Sequence, residues 1–260
     1  MKQYKRKADF KVTKTNKEKI TLNSEKIRKR EQKIKILKIT ILLILLFLII
    51  LYFILRVVYE LGDFTVSLDP QLEEKSGLVM YEHLSDKQNK QILKAERVEY
   101  MDNICVSWLP SNLSEGEGSH NGTNYLAYSF YLENQGSETI NYWYRIVSDD
   151  VVKNVDRAIR IMVIRNDEQT IYAKPNEITG ENEGGTAEPT EKFNNSKDLV
   201  LKQRQGMKSG DIDKFTIVIF LEGDDPDCTD ELIGGEMKMH MDITEEHINE
   251  GENNVDETQV

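Results

Sequence analysis

Residues 213–243 read DKFTIVIFLEGDDPDCTDELIGGEMKMHMDI. Phe215, Ile217, Ile219 and Leu221 recur at every second position, and Met237, Met239, Met241 and Ile243 alternate with Glu236, Lys238, His240 and Asp242. Successive strand side chains point to opposite faces, so this spacing predicts two half-buried antiparallel strands. The methionine stripe reads as adaptable core filling rather than as a set of metal ligands. Between the two strands, Glu222–Glu231 carries six carboxylates in ten residues.

The same pattern extends outward. Tyr125–Glu133 presents Leu126, Tyr128, Phe130 and Leu132 on one face, and Ile140–Ile146 presents Ile140, Tyr142, Tyr144 and Ile146. The intervening Asn134-Gln135-Gly136 predicts a hairpin. Asp156–Arg165 and Gln169–Ala173 flank Asn166-Asp167 and predict a second one. Phe64, Val66 and Leu68 alternate up to Pro70, and Leu78–Tyr81, Cys105–Leu109 and Leu199–Leu201 are further strand candidates. Residues 82–97 fit a loop or a short helix, Pro110–Asn124 is a polar loop, and 174–197, with three glycines and two prolines, is an exposed insertion. Short strands about every dozen residues make the expected fold class all-β, a β-sandwich over residues 60–244.

A different language precedes it. Ile39–Leu55 contains no formal charge, and Ile39–Tyr59 as a helix would be roughly 30 Å long, the thickness of a bilayer's hydrocarbon core. Residues 1–38 hold 15 Lys+Arg against 4 Asp+Glu, leaving 19 basic and 41 acidic residues of the chain's 34 and 45 for the remainder. The positive-inside rule then places residues 1–37 as a basic cytoplasmic tail, 38–59 as a single transmembrane signal anchor, and the acidic C-terminal part outside the cell. Ile20, Ile27, Ile34 and Leu37 among lysines and arginines suggest a short basic amphipathic helix leading into the membrane. No small-residue cleavage site follows the apolar run, so the anchor is expected to be retained. Residues 245–260 form an acidic tail of disordered composition. A strongly acidic exterior excludes nucleic acid and anionic lipid as its partners; the membrane itself and other surface or matrix proteins remain.

Motifs of catalysis are missing. His83, His120, His240 and His247 lack zinc-protease spacing, and neither a Gly-x-Ser-x-Gly elbow nor a phosphate-binding glycine loop occurs. No enzyme activity and no resident cofactor are therefore expected. In the acidic stretch, Asp224, Asp225, Asp227 and Asp230 could converge on Ca²⁺, which takes several oxygen ligands, although a solvated turn explains the same composition. Cys105 and Cys228 both fall outside the membrane, where one disulfide or two buried thiols are equally admissible. Sequons at Asn112, Asn121 and Asn194 matter only in a host that glycosylates.

Leu221-Glu222-Gly223, Asp225-Pro226-Asp227-Cys228, Gly234-Gly235 and the alternating last strand resemble the C-terminal signature of the TasA and camelysin group of Firmicutes surface proteins. Phe130, Asn134 and Gly136 are similar to that group as well. The resemblance implies an extracytoplasmic jelly-roll-like β-sandwich on a Gram-positive cell surface, in a group whose members build biofilm matrix fibres by passing strands between copies. It further implies a non-catalytic role in envelope, matrix or adhesion through protein–protein contacts, including self-association by edge strands. Two alternatives stand beside it: a camelysin-like metalloprotease, for which no ligand motif carries over, and a single-pass signalling or assembly factor. The retained anchor departs from relatives that begin with a cleavable signal.

Overall fold

The computed structural model describes residues 27–53, 64–176 and 190–244 of the chain. The chain divides into two compact units, Met1–Leu61 and Gly62–Val260. Most of the basic tail, residues 54–59 of the expected span, the acidic tail 245–260 with His247, and residues 177–189 of the insertion lie outside the described residues.

Among its described residues, the first unit contains one helix, α1 (Ile27–Phe53), long and apolar enough to cross a membrane and 0% buried along its apolar stretch. At about 1.5 Å per residue it is roughly 40 Å long. Leu, Ile and Phe side chains cover every face, which is what lipid, rather than a protein core, would accommodate. The described parts of the basic segment and of the apolar span are one continuous helix.

The second unit is built from β1 (Thr65–Leu68), β2 (Leu78–Tyr81), β3 (Ile92–Lys94), β4 (Gly118–Ser119), β5 (Tyr125–Asn134) and β6 (Ile140–Val152). The chain continues through β7 (Ile159–Arg165), β8 (Glu168–Ala173), β9 (Thr190–Lys192), β10 (Asp198–Met207), β11 (Ile212–Leu221) and β12 (Glu236–Thr244). They form a five-stranded sheet in the order β10-β6-β12-β1-β3 and a seven-stranded sheet in the order β2-β5-β11-β7-β8-β9, with β4 also on β5. Both sheets are mixed, since β1 runs parallel to β12 and β9 parallel to β8. The sheets share one core: Val66, Tyr142, Ile146 and Met241 come from the first, Phe130, Ile161, Phe215 and Ile217 from the second. Phe215 stacks on Phe130 at 5.3 Å and meets Tyr144 edge-on at 5.1 Å, across the two layers. Each buried ring of this kind contributes about 1.5–3 kcal/mol of apolar transfer.

Several local expectations change. β5 and β6 are not a hairpin: β5 pairs with β2 and β11 in one sheet, β6 with β10 and β12 in the other. Period-two alternation fixes which side chains face inward but not which strand is the neighbour. Asn134 makes the crossing possible, because its amide donates to Glu138 O and Met207 O and accepts from Gly136 N. Gly136 has to be glycine, since a Cβ there would lie 2.1 Å from Ser76 O. β11 and β12 likewise belong to opposite sheets, so the acidic stretch is a crossover between layers. β11 is also buried on both faces, Val218 and Phe220 packing outward into a second cluster with Ile104, Leu113, Met162 and Ile164. Cys105–Leu109 is not a strand; a single bridge at Ile104 is followed by a 3₁₀ turn, Val106–Trp108. The ambiguous 82–97 stretch holds β3, and Leu199–Leu201 belongs to the ten-residue β10. The β7–β8 hairpin stands as expected, with Asn166 and Asp167 at φ 49° and 69°, the left-handed pair that a two-residue hairpin turn requires. Met239 and Met241 are buried core residues, also as expected.

Candidate functional site

The acidic crossover folds around its own backbone. Glu222 accepts from Asp225 N–H and Asp225 O accepts from Cys228 N–H at 2.9 Å, two successive turns, while Asp225 Oδ1 accepts from Asp227 N–H at 2.8 Å. Asp230–Leu232 form a 3₁₀ turn that buries Leu232. The return to β12 then needs Gly234 at φ +73° and Gly235, where a Cβ would come within 2.8 Å of Leu232 O.

The four aspartates expected to share a cation are separated by this folding. Asp225 is buried and its Oδ2 meets Arg160 NH2 at 2.7 Å, on a β7 side chain that is itself fully buried. A carboxylate committed to a buried guanidinium is poorly disposed to a second cation. Asp227 is half-buried, and Asp224 and Asp230 are exposed. Among the described residues, the group whose ligand atoms lie within 4.8 Å of one another is Cys105, Glu222 and Asp224, so one of the four takes part. A thiolate with two carboxylates suits a borderline cation such as Zn²⁺ better than Ca²⁺, which prefers oxygen alone. Glu222 reads from the sequence as part of the acidic stretch and of the Leu221-Glu222-Gly223 signature but not as a ligand, yet it organises the site: its carboxylate accepts Val106 N–H and Asp224 N–H, both at 3.1 Å. The informative signal was its position, one residue past a doubly buried strand.

Cys105 and Cys228 are both thiols here. Cys105 Sγ lies 3.2 Å from Asp224 Oδ2. Burial, then Asp225 and Glu222, push the Cys228 thiol above its ordinary range, with Arg160 opposing. Beside this region, Val106, Leu109, Pro110 and Leu113 form one wall of a cleft of about 290 Å³, and Met162, Ile164, Asp167 and Gln169 the other. Trp108, on the same segment, is 70% exposed.

A second polar constellation was not legible beforehand. On β2 and β5, Tyr81, Tyr128 and Tyr131 donate to Glu133, Glu82 and Glu117 at 2.9, 2.7 and 2.7 Å. Lys87 and Lys90 pair with Glu133 and Glu82, and His83 stands 3.4 Å from Glu117. Tyr81 and Tyr131 stack at 5.5 Å. Burial, followed by Glu117, pushes Tyr131 up to about 12. These bonds fasten the 82–90 and 113–117 segments to the sheet, which is a structural task. His120 bonds to Gly118 O and Leu113 O, and His240 stands between Asp149 and Asp242; neither joins the Cys105 group. Of the sequons, Asn112 and Asn194 are exposed, whereas the Asn121 amide is engaged with Glu96 O and Ala127 N–H.

No family model and no curated relative matches the chain. Among solved structures, a β-glucosidase from Kluyveromyces marxianus in complex with glucose is similar at 14% identity and a TM-score of 0.25, over 70% of this chain and 18% of that enzyme. Its selenomethionine-labelled form is similar at 12% identity and a TM-score of 0.22, over 63% and 16%. The chain thus spans under a fifth of those enzymes, and likeness this low bears on neither activity nor substrate.

Proposed function

We propose that this is a single-pass membrane protein, N-terminus in the cytoplasm, that displays an extracellular β-sandwich at the cell surface and acts through protein–protein contacts in envelope, matrix or adhesion, without catalysis. The observation that carries the reading is α1: an apolar helix with no buried side, separating a strongly basic leader from a strongly acidic domain. The strand crossings β5–β6 and β11–β12 support a jelly-roll-like connectivity of the kind implied by the TasA and camelysin resemblance. β10 supports self-association, because it is ten residues long and lies at the edge of its sheet. Protease added to intact cells is expected to remove the sandwich and leave an anchored fragment; a sandwich cleaved only after lysis overturns the topology.

The Cys105, Glu222 and Asp224 group favours a second reading, a metal-dependent surface hydrolase. Casein cleavage by the purified protein, abolished by chelator and by Glu222→Gln, would establish it. Calorimetry with Ca²⁺ and with Zn²⁺ tests cation binding separately, and no heat from either ends the metal reading.

A further inference from the structure

We propose that the five-stranded sheet is the tension-bearing half of the sandwich, carrying a pull that enters at β1 across to a second copy of this chain held at the β10 edge. The source of the pull rests on the surface-display and self-association readings above; the resistance to it rests on strand order alone. β1 is the first strand after α1, and it lies in the same sheet as β10 with β12 and β6 between them. The chain has one covalent route to α1, so force between the membrane and a displayed sandwich enters through β1.

Strand directions decide how that force is felt. β1 runs parallel to β12, β12 antiparallel to β6, and β6 antiparallel to β10, so β1, β12 and β10 point the same way. Thr65 pairs with His240, His240 with Val147 and Val147 with Asp198, which puts the starts of β1 and β10 at one end of the sheet and Met207 at the other. A pull from Thr65 against the Met207 end therefore runs along the strands. Ladder bonds lie across that direction, so the rungs of β1 with β12 and with β3 are strained together rather than one at a time. Two further features tie β1 down. Phe64, Val66 and Leu68 are buried in the core, and sliding β1 would expose them. On the opposite face of β1 a row of side chains joins four strands. Ser67 Oγ donates to Asp242 Oδ1 at 2.6 Å, and Arg145 donates to Asp242 Oδ2 from Nε at 3.0 Å and from Nη2 at 2.9 Å. Arg145 Nη1 then stands 3.7 Å from Asp198 Oδ1 on β10. The row runs from the strand that takes the pull to the edge strand that passes it on.

The test stretches single full-length molecules in detergent from an N-terminal handle. The second handle is an azide-bearing residue at exposed Lys208 in one arm and at exposed Lys197 in the other. The first geometry shears the sheet; the second pulls β1 and β10 from their common end and opens the rungs in turn. α1 unravels ahead of either rupture and is common to both arms. At equal loading rate the first rupture force should exceed the second by about twofold or more, since forced unfolding reads the barrier rather than the equilibrium stability. Ser67→Ala and Asp242→Asn should each lower the first force and leave the second unchanged. Equal forces in the two geometries, release of β1 before the rest of the sheet in the first, or an unchanged first force in either variant would overturn the proposal. The measurement needs neither a cell nor a second copy, so its failure is distinct from failure of the surface-display reading.

Discussion

The two ends of β11 solve the same problem differently. Both bury a carboxylate at 1% exposure: Asp213 near the start and Glu222 just past the end. Asp213 is held by side chains, accepting from Tyr142 Oη at 2.6 Å, Arg204 Nε at 3.1 Å and Asn166 Nδ2 at 2.6 Å. Tyr142 and Arg204 belong to the opposite sheet, so this end is a seam between the layers. Glu222 is held by backbone amides of two loops, and its neighbour Asp225 by the buried Arg160. A carboxylate bonded to loop amides organises segments that no sheet ladder constrains. The first end closes the fold, and the second assembles a platform carrying both cysteines and the acidic side chains.

The largest effect is expected where a buried ion pair is broken. Asp225→Ala removes the carboxylate that meets Arg160 at 2.7 Å in a buried pair and should cost about 3–5 kcal/mol in denaturant unfolding; a loss under 1 kcal/mol would mean that the second end carries no stability. Asp213→Ala strands the Tyr142 hydroxyl, whose titration burial and Asp213 hold well above its ordinary range, and should cost about 2–3 kcal/mol. The two ends are roughly 30 Å apart along an extended strand, so the double variant should be additive to within about 0.5 kcal/mol. Marked coupling would show that they act as one network. Glu222→Gln retains shape but weakens one amide bond; about 1 kcal/mol is expected, with a larger loss of any Zn²⁺ affinity read by calorimetry.

Acid should act outside both ends, on the tyrosine–glutamate constellation. A hydrogen bond from Tyr131 lowers Glu117, and in Glu82 and Glu133 burial is outweighed by bonds from Lys90 and Tyr128, and from Lys87 and Tyr81. Carboxyls lowered in the fold stabilise it fully above their ordinary value near about 4.3, and that contribution is lost as pH falls through the folded values. Tyr81, Tyr128 and Tyr131 are raised by burial and their glutamates, so their contribution is complete below about 10 and fades as pH rises beyond it. Melting temperature should therefore stay level through neutrality and drop at both extremes. Tyrosinate absorbance from these three residues at pH 10 in the folded protein would contradict their placement.

Much of this architecture was legible in the residues. Alternation at Phe215–Leu221 and Met237–Ile243 is a local property of strands, and the left-handed preference of Asn166-Asp167 marks a hairpin without any tertiary information. The unbroken apolar run at Ile39 and the charge step across it likewise belong to the chain alone. The pairing of the strands does not, because a period of two is indifferent to the neighbour; hence β5 and β6 read as a hairpin although they lie in different sheets. Nor does the fate of a carboxylate. Asp224, Asp225, Asp227 and Asp230 are equivalent in a list of acids, and only the fold brings Arg160 beneath one of them and Cys105 beside another. Sequence determined period, charge and the apolar helix, since these depend on neighbours a few residues away. Tertiary structure decided partners and burial, since they depend on which distant backbone arrives at the same place.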